Sequence, residues 1–199
     1  MRKLLAAILL MIGVILVTIS GKSSHKLDSA DPQTPAPRFS EEWLQEEAGK
    51  MFLKDPNPQH TLALRLDVAS HLTSSQQQAL RDTVINPQAA ENQRALALQL
   101  LTLNKGVPAE IFVSIAKHDD PIYHQNITAH SVEESRYRMV SAMIVAALNE
   151  IQTRAMESPP LITDLEIIAA HSPSGTVRLI AARMASAVRS GKLFMAEIQ

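Results

Sequence analysis

Between Lys117 and Ser131 the chain reads HDDPIYHQNITAH, which places three imidazoles (His118, His124, His130) and two carboxylates (Asp119, Asp120) within 13 residues. Imidazole nitrogen and carboxylate oxygen are ligands for borderline-to-hard divalent cations, and a loop turned by Pro121 can bring several of them to one point. His118, Asp119, His124 and His130 are therefore the candidate metal ligands, and a metal-dependent hydrolase is the chemistry they would support. A plainer use of the same residues is a polar connector, in which Asp119 or Asp120 caps a turn and Pro121 punctuates it. The connector is preferred, because nothing elsewhere completes a catalytic set. There is no Gly-rich phosphate loop, no Gly-x-Ser-x-Gly and no His-Glu-x-x-His, and six glycines in 199 residues leave little for backbone cradles. No catalytic residue and no cofactor is assigned.

The elements that would position these groups are helices. Aromatic residues make up only 4% of the chain against 46% hydrophobic, a composition dominated by Ala, Leu, Ile, Val and Met that packs as aliphatic helix ridges. An all-α fold is expected. A formal net charge of −1 lacks the positive field that nucleic-acid binding draws on, and the absence of cysteine removes thiolate catalysis, disulfides and Cys-based zinc sites.

The amino terminus, MRKLLAAILLMIGVILVTISGKSS, carries Arg2 and Lys3 ahead of an uncharged run from Leu4 to Ile19. As a helix this run would extend about 24 Å at ~1.5 Å per residue, short of a ~30 Å hydrocarbon core yet long for a signal-peptide core. The best cleavage pattern, Thr18-Ile19-Ser20 before Gly21, is poor. Residues 1–20 are read as a signal-anchor or signal peptide, and the positive-inside bias leaves the remainder of the chain outside. In a bacterium that is a single-pass inner-membrane protein with its domain in the periplasm, or a soluble periplasmic protein if the signal is cleaved. Residues 21–38, with Pro32, Pro35 and Pro37, form a Pro/Ser-rich tether. A helical domain occupies 39–199.

Within that domain, Ser40 with Phe39 and Leu44 forms a hydrophobic-staple start for a helix near 40–54. NPQHTLALR at Asn57 and NPQAAENQR at Asn86 both place an arginine seven residues after the proline, and both are read as cap-plus-Pro helix starts. Further helices are expected from Ser75 to Ile85, from Val107-Pro108, from a Ser131/Glu134 capping box, from Leu161 to Ala170, and from the His171–Gly175 loop to about Gly191. That makes about eight helices, grouped as four pairs, with a compact helical bundle as the alternative arrangement.

The segment SPSGTVRLIAARMASA, with Pro173, Val177, Arg178, Ala181, Ala182 and Ala185, resembles the second helix of a HEAT-type repeat. Arginines also open Ala/Leu-rich helices at Arg94 and Arg138, and the successive spacings of 44 and 40 residues to Arg178 match the ~40–47-residue period of such repeats. The resemblance covers roughly residues 86–190. It implies an α-α superhelix, a HEAT/armadillo-like solenoid of about four helix pairs, used as a scaffold or adaptor that binds another protein.

Charge divides along the chain. Residues 41–55 hold five carboxylates against two lysines, whereas 166–199 hold Arg178, Arg183, Arg189 and Lys192 against two glutamates. On the last helix an apolar arc of Val177, Ile180, Ala181, Met184, Ala185 and Val188 is bordered by arginines, and Leu193-Phe194-Met195 follow Lys192 where no further helix is expected to cover them. Arg178, Arg183, Arg189, Lys192 and Phe194 are therefore the candidate partner-binding residues. They suit an acidic, partly apolar segment, or the acidic helix 40–54 of a second copy.

Overall fold

A computed structural model of the chain describes residues 38–194 apart from 52 and 54. The expected membrane segment 4–19, the tether up to residue 37 and Met195 lie outside the described residues.

Eight α-helices and one 3-10 turn make up the described residues, with no strand among them. The elements are α1 Glu41–Lys50, α2 Pro58–Ser70, α3 Ser74–Ile85, α4 Glu91–Leu103, α5 Ala109–Ala116, the 3-10 turn Pro121–His124, α6 Val132–Ala155, α7 Pro160–His171 and α8 Gly175–Arg189. The all-α expectation is met. None of the described helices is long and apolar enough to cross a membrane.

Local chemistry explains most boundaries. Ser40 Oγ accepts from Trp43 N, two glutamates sit in the first turn of α1 and Lys50 in its last, complementing the helix dipole. Asn57 Oδ1 accepts from His60 N with Pro58 at the first helical position, as the sequence predicts. Thr73 and Gln76 form a reciprocal capping box that starts α3 one residue early. At the other end of the chain, α8 closes with Gly191 at φ 66°, where Gly191 N donates to Val188 O and Lys192 N to Ala187 O. This pair of bonds is a Schellman termination, which needs the left-handed conformation that glycine adopts without a Cβ penalty.

Three expectations are corrected. Asn86-Pro87 does not start a helix. Asn86 ends α3 by donating its N–H to Asp82 O, and its side chain folds the next turn by accepting from Gln88 N; α4 begins only at Glu91 behind Ala90. The Ser131 box is half made, because Ser131 Oγ accepts from Glu134 N but the Glu134 carboxylate accepts from His130 N rather than from Ser131. That bond and Arg138 hold the Glu134 carboxyl below its usual range. Finally, α1 ends at Lys50 rather than near 54.

The helices share one core, to which α4 contributes Leu96, Ala97, Leu98, Leu100 and Leu101, and α6 contributes Val140, Ile144, Ala147, Leu148 and Ile151. Both helices are central. α4 packs against α1, α2, α3 and α6, while α6 packs against α4, α5, α7 and α8. Arginines fasten the connections between helices. Arg94 donates to Val84 O, Arg136 to Pro87 O, Arg154 to Val107 O and Arg178 to Ser172 O. Each guanidinium satisfies a carbonyl that a helix end or turn would otherwise leave unpaired, a charge-assisted bond about twice as strong as a neutral one.

Candidate functional site

The loop between α5 and α6 holds the candidate metal ligands, and the fold disperses them. Asp119 and His124 meet at the surface, with His124 Nε2 2.8 and 2.9 Å from the two carboxylate oxygens. His118 turns inward, its Nε2 buried. His130 is exposed at φ 65°, an unusual conformation for a non-glycine residue, and its backbone N–H is committed to Glu134. Among the described residues no three His, Asp or Glu side chains assemble as a metal-binding group. Only His124 lies in the 3-10 turn: Asp119 meets it across the turn, whereas His118 is turned inward before the turn and His130 lies six residues beyond it.

Asp120, read as a turn cap, does that and more. Its Oδ1 accepts from Ile122 N at 3.0 Å, while Oδ2 takes a 2.7 Å bond from Arg94 Nη2. The pair is almost sealed from solvent, with Arg94 2% and Asp120 1% exposed. Arg94 Nε donates to Val84 O at 2.8 Å, so one side chain of α4 ties the end of α3 to the α5–α6 loop. Tyr123 packs edge-on against Tyr137, with ring centroids 5.2 Å apart, and its hydroxyl lies 3.3 Å from Ser141 Oγ. Burial pushes the Tyr123 phenol up to about 12. The sequence pattern missed this cluster. A lone arginine inside the apolar stripe of α4 was the available signal, since a buried arginine requires a carboxylate.

The cationic end of the domain is differently organised from the expectation. Arg178 is not a free border charge, because its guanidinium donates to Ser172 O at 2.6 Å and Pro173 O at 3.3 Å and closes the turn before α8. Arg189 pairs with Glu166 on α7. Arg183 lies over the Phe194 ring, 5.8 Å from its centroid, an arrangement suited to cation–π attraction. Phe194 is covered by its own chain. Gln152 on α6 donates to Phe194 O at 3.1 Å and accepts from Phe194 N at 3.2 Å, and the ring packs on the core. Its backbone found a side-chain amide whose donor and acceptor match it, which the sequence spacing of 42 residues did not reveal. Lys192 and Leu193 remain exposed.

The fold and these clusters define an all-α domain with two buried ion pairs, Arg94–Asp120 and Arg65 on α2 with Glu47 on α1 at 2.8 Å, and a cationic final helix. Scanned against protein-family models, curated proteins and solved structures, the chain matches none of them.

Proposed function

We propose that this chain is a membrane-tethered helical-repeat scaffold, anchored in the inner membrane through residues 4–19 with its domain in the periplasm, and that it binds another protein. The observation that carries this reading is how the helices meet. The pairs α3/α4, α5/α6 and α7/α8 each pack on themselves, α1 and α2 both pack on α4 rather than on each other, and every substantial contact among the described helices joins members of one such pair or of groups adjacent along the chain. Neighbour-only packing is the property of an α-α superhelix, in which each pair buries its apolar face against the next and the stack offers an extended surface.

The partner surface is placed on the last pair. Arg183 and Lys192 form no ion pair among the described residues, and Leu179 and Leu193 are 53% and 52% exposed on and just after α8. Cations beside exposed leucines suit an acidic, partly apolar partner segment, and α1 with exposed Glu41, Glu42 and Glu46 is such a segment in a second copy. Arg178 and Arg189, being committed within the chain, are set aside as docking residues.

The test joins localisation to binding. Alkali-washed membranes should retain the full-length chain, and crosslinking in intact cells should capture a defined partner. Arg183→Glu with Lys192→Glu should lower capture by roughly tenfold, equivalent to ~1.4 kcal/mol, while the Tm moves by no more than about 2 °C. A soluble chain shortened to near Gly21 would remove the tether from this reading. Undiminished capture by the double variant would remove the site.

A further inference from the structure

The joint between α3, α4, α5 and α6 contains a cavity of about 10 Å³ lined by Val84, Ile85, Ile115, Val140, Met143 and Ile144, with Arg94 and His118 as its polar members. Arg94 Nη1 and His118 Nε2 are both buried in the lining, and neither has a hydrogen-bond partner within the protein. A buried guanidinium N–H without an acceptor costs more than an ordinary lost bond, because the group carries charge. The apolar walls offer no acceptor, and the space admits a single water-sized molecule.

We propose that this cavity is a structural water site, in which one water accepts from Arg94 Nη1 and donates to His118 Nε2. Water fits both atoms as no other small species does. It can accept from the guanidinium and donate to an unprotonated imidazole nitrogen at once, which fixes the proton of His118 on Nδ1. A halide would accept from Arg94 but repel the lone pair on Nε2. Moreover, the Arg94 charge is already balanced by Asp120 at 2.7 Å, so a second anion would stand uncompensated in a buried site. Two partners are the lower bound for a stably buried water. The water extends the reach of Arg94, which already holds the end of α3 and the turn at Asp120, to the end of α5. This site is independent of the scaffold reading and of its membrane location.

Nuclear magnetic resonance on the full chain in detergent micelles tests it. Expected are cross-peaks from a long-lived water to the methyl groups of Val140 and Ile144, and ring nitrogen shifts reporting His118 as the Nδ1–H tautomer. His118→Gln supplies an amide oxygen and should keep the water signal; His118→Leu removes the polar partner and should lose it while the methyl spectrum stays dispersed. The absence of water cross-peaks from a well-dispersed wild-type spectrum overturns the proposal. So does an Nε2–H tautomer, or a Tm that rises with chloride at constant ionic strength, since the last would identify an anion site.

Discussion

Arg65 and Arg94 stand seven residues after the proline of the same Asn-Pro-Gln triplet, and both are buried beside a carboxylate, yet their surroundings differ. Arg65 is completely paired. Its Nε and Nη2 donate to Glu47 Oε1 at 3.1 and 2.8 Å, and Nη1 reaches Gln99 Oε1 at 3.0 Å, so the guanidinium joins α1, α2 and α4. Arg94 pairs with Asp120 and Val84 O and turns its remaining donor toward the cavity beside His118. One arginine closes a contact between side chains, whereas the other also replaces backbone bonds at a helix end and a loop. An ion pair built into the backbone's own hydrogen-bond accounting cannot be exchanged for apolar packing as freely as one made only of side chains.

The largest expected effect comes from removing one carboxylate. Asp120→Ala strands the Arg94 charge at 2% exposure and frees Ile122 N, and should cost about 3–5 kcal/mol in urea unfolding at unchanged m. Glu47→Ala should cost less, about 3 kcal/mol, because Gln99 still accepts from Arg65. Equal losses would erase the distinction between the two sites.

Replacing both partners sharpens it. Glu47→Leu with Arg65→Met should be close to neutral or stabilising, within about 1 kcal/mol of wild type, since no backbone group is left unpaired. Asp120→Leu with Arg94→Met should still lose about 1–3 kcal/mol, because Val84 O and Ile122 N are stranded. Denaturant midpoints of the two double variants decide the matter.

A third prediction exploits Tyr123, which packs by the Arg94 cluster. Its phenol is raised from 10.0 to about 12, so the folded state keeps the proton that the unfolded chain loses first. This contribution is fully present below pH 10 and is lost as pH rises toward 12. Tyr123→Phe should flatten the fall of stability over that range, and an unchanged alkaline slope would contradict the burial of the phenol.

The smallest effects separate the two triplets. Asn57→Ala removes a helix cap and should cost about 1 kcal/mol. Asn86→Ala removes only a turn bond to Gln88 N, its backbone bond to Asp82 O being kept, and should cost roughly half as much. A larger loss at Asn86 would mean that the triplet does more there than turn the chain.

Local signals were legible wherever a residue acts on its own neighbours. Ser40, Asn57 and Ser131 mark helix starts and Gly191 marks an end, because capping bonds close within a few residues. The apolar stripe of α8 was equally readable, since 3.6-residue periodicity is a property of the segment alone. The second Asn-Pro-Gln misled because Asn caps a helix start and folds a turn through the same side-chain oxygen, and only the packing of α3 against α4 selects between them.

By itself, then, the sequence determined an all-α domain and most of its helix boundaries, because capping and periodicity are short-range physics. Tertiary structure alone decided which carboxylate each arginine meets, 18 residues back for Arg65 and 26 residues ahead for Arg94. It also decided that Arg178 closes a turn and that Phe194 folds onto Gln152. Buried charges and backbone ends must find partners wherever the packed chain places one, and that choice is made by the whole core at once.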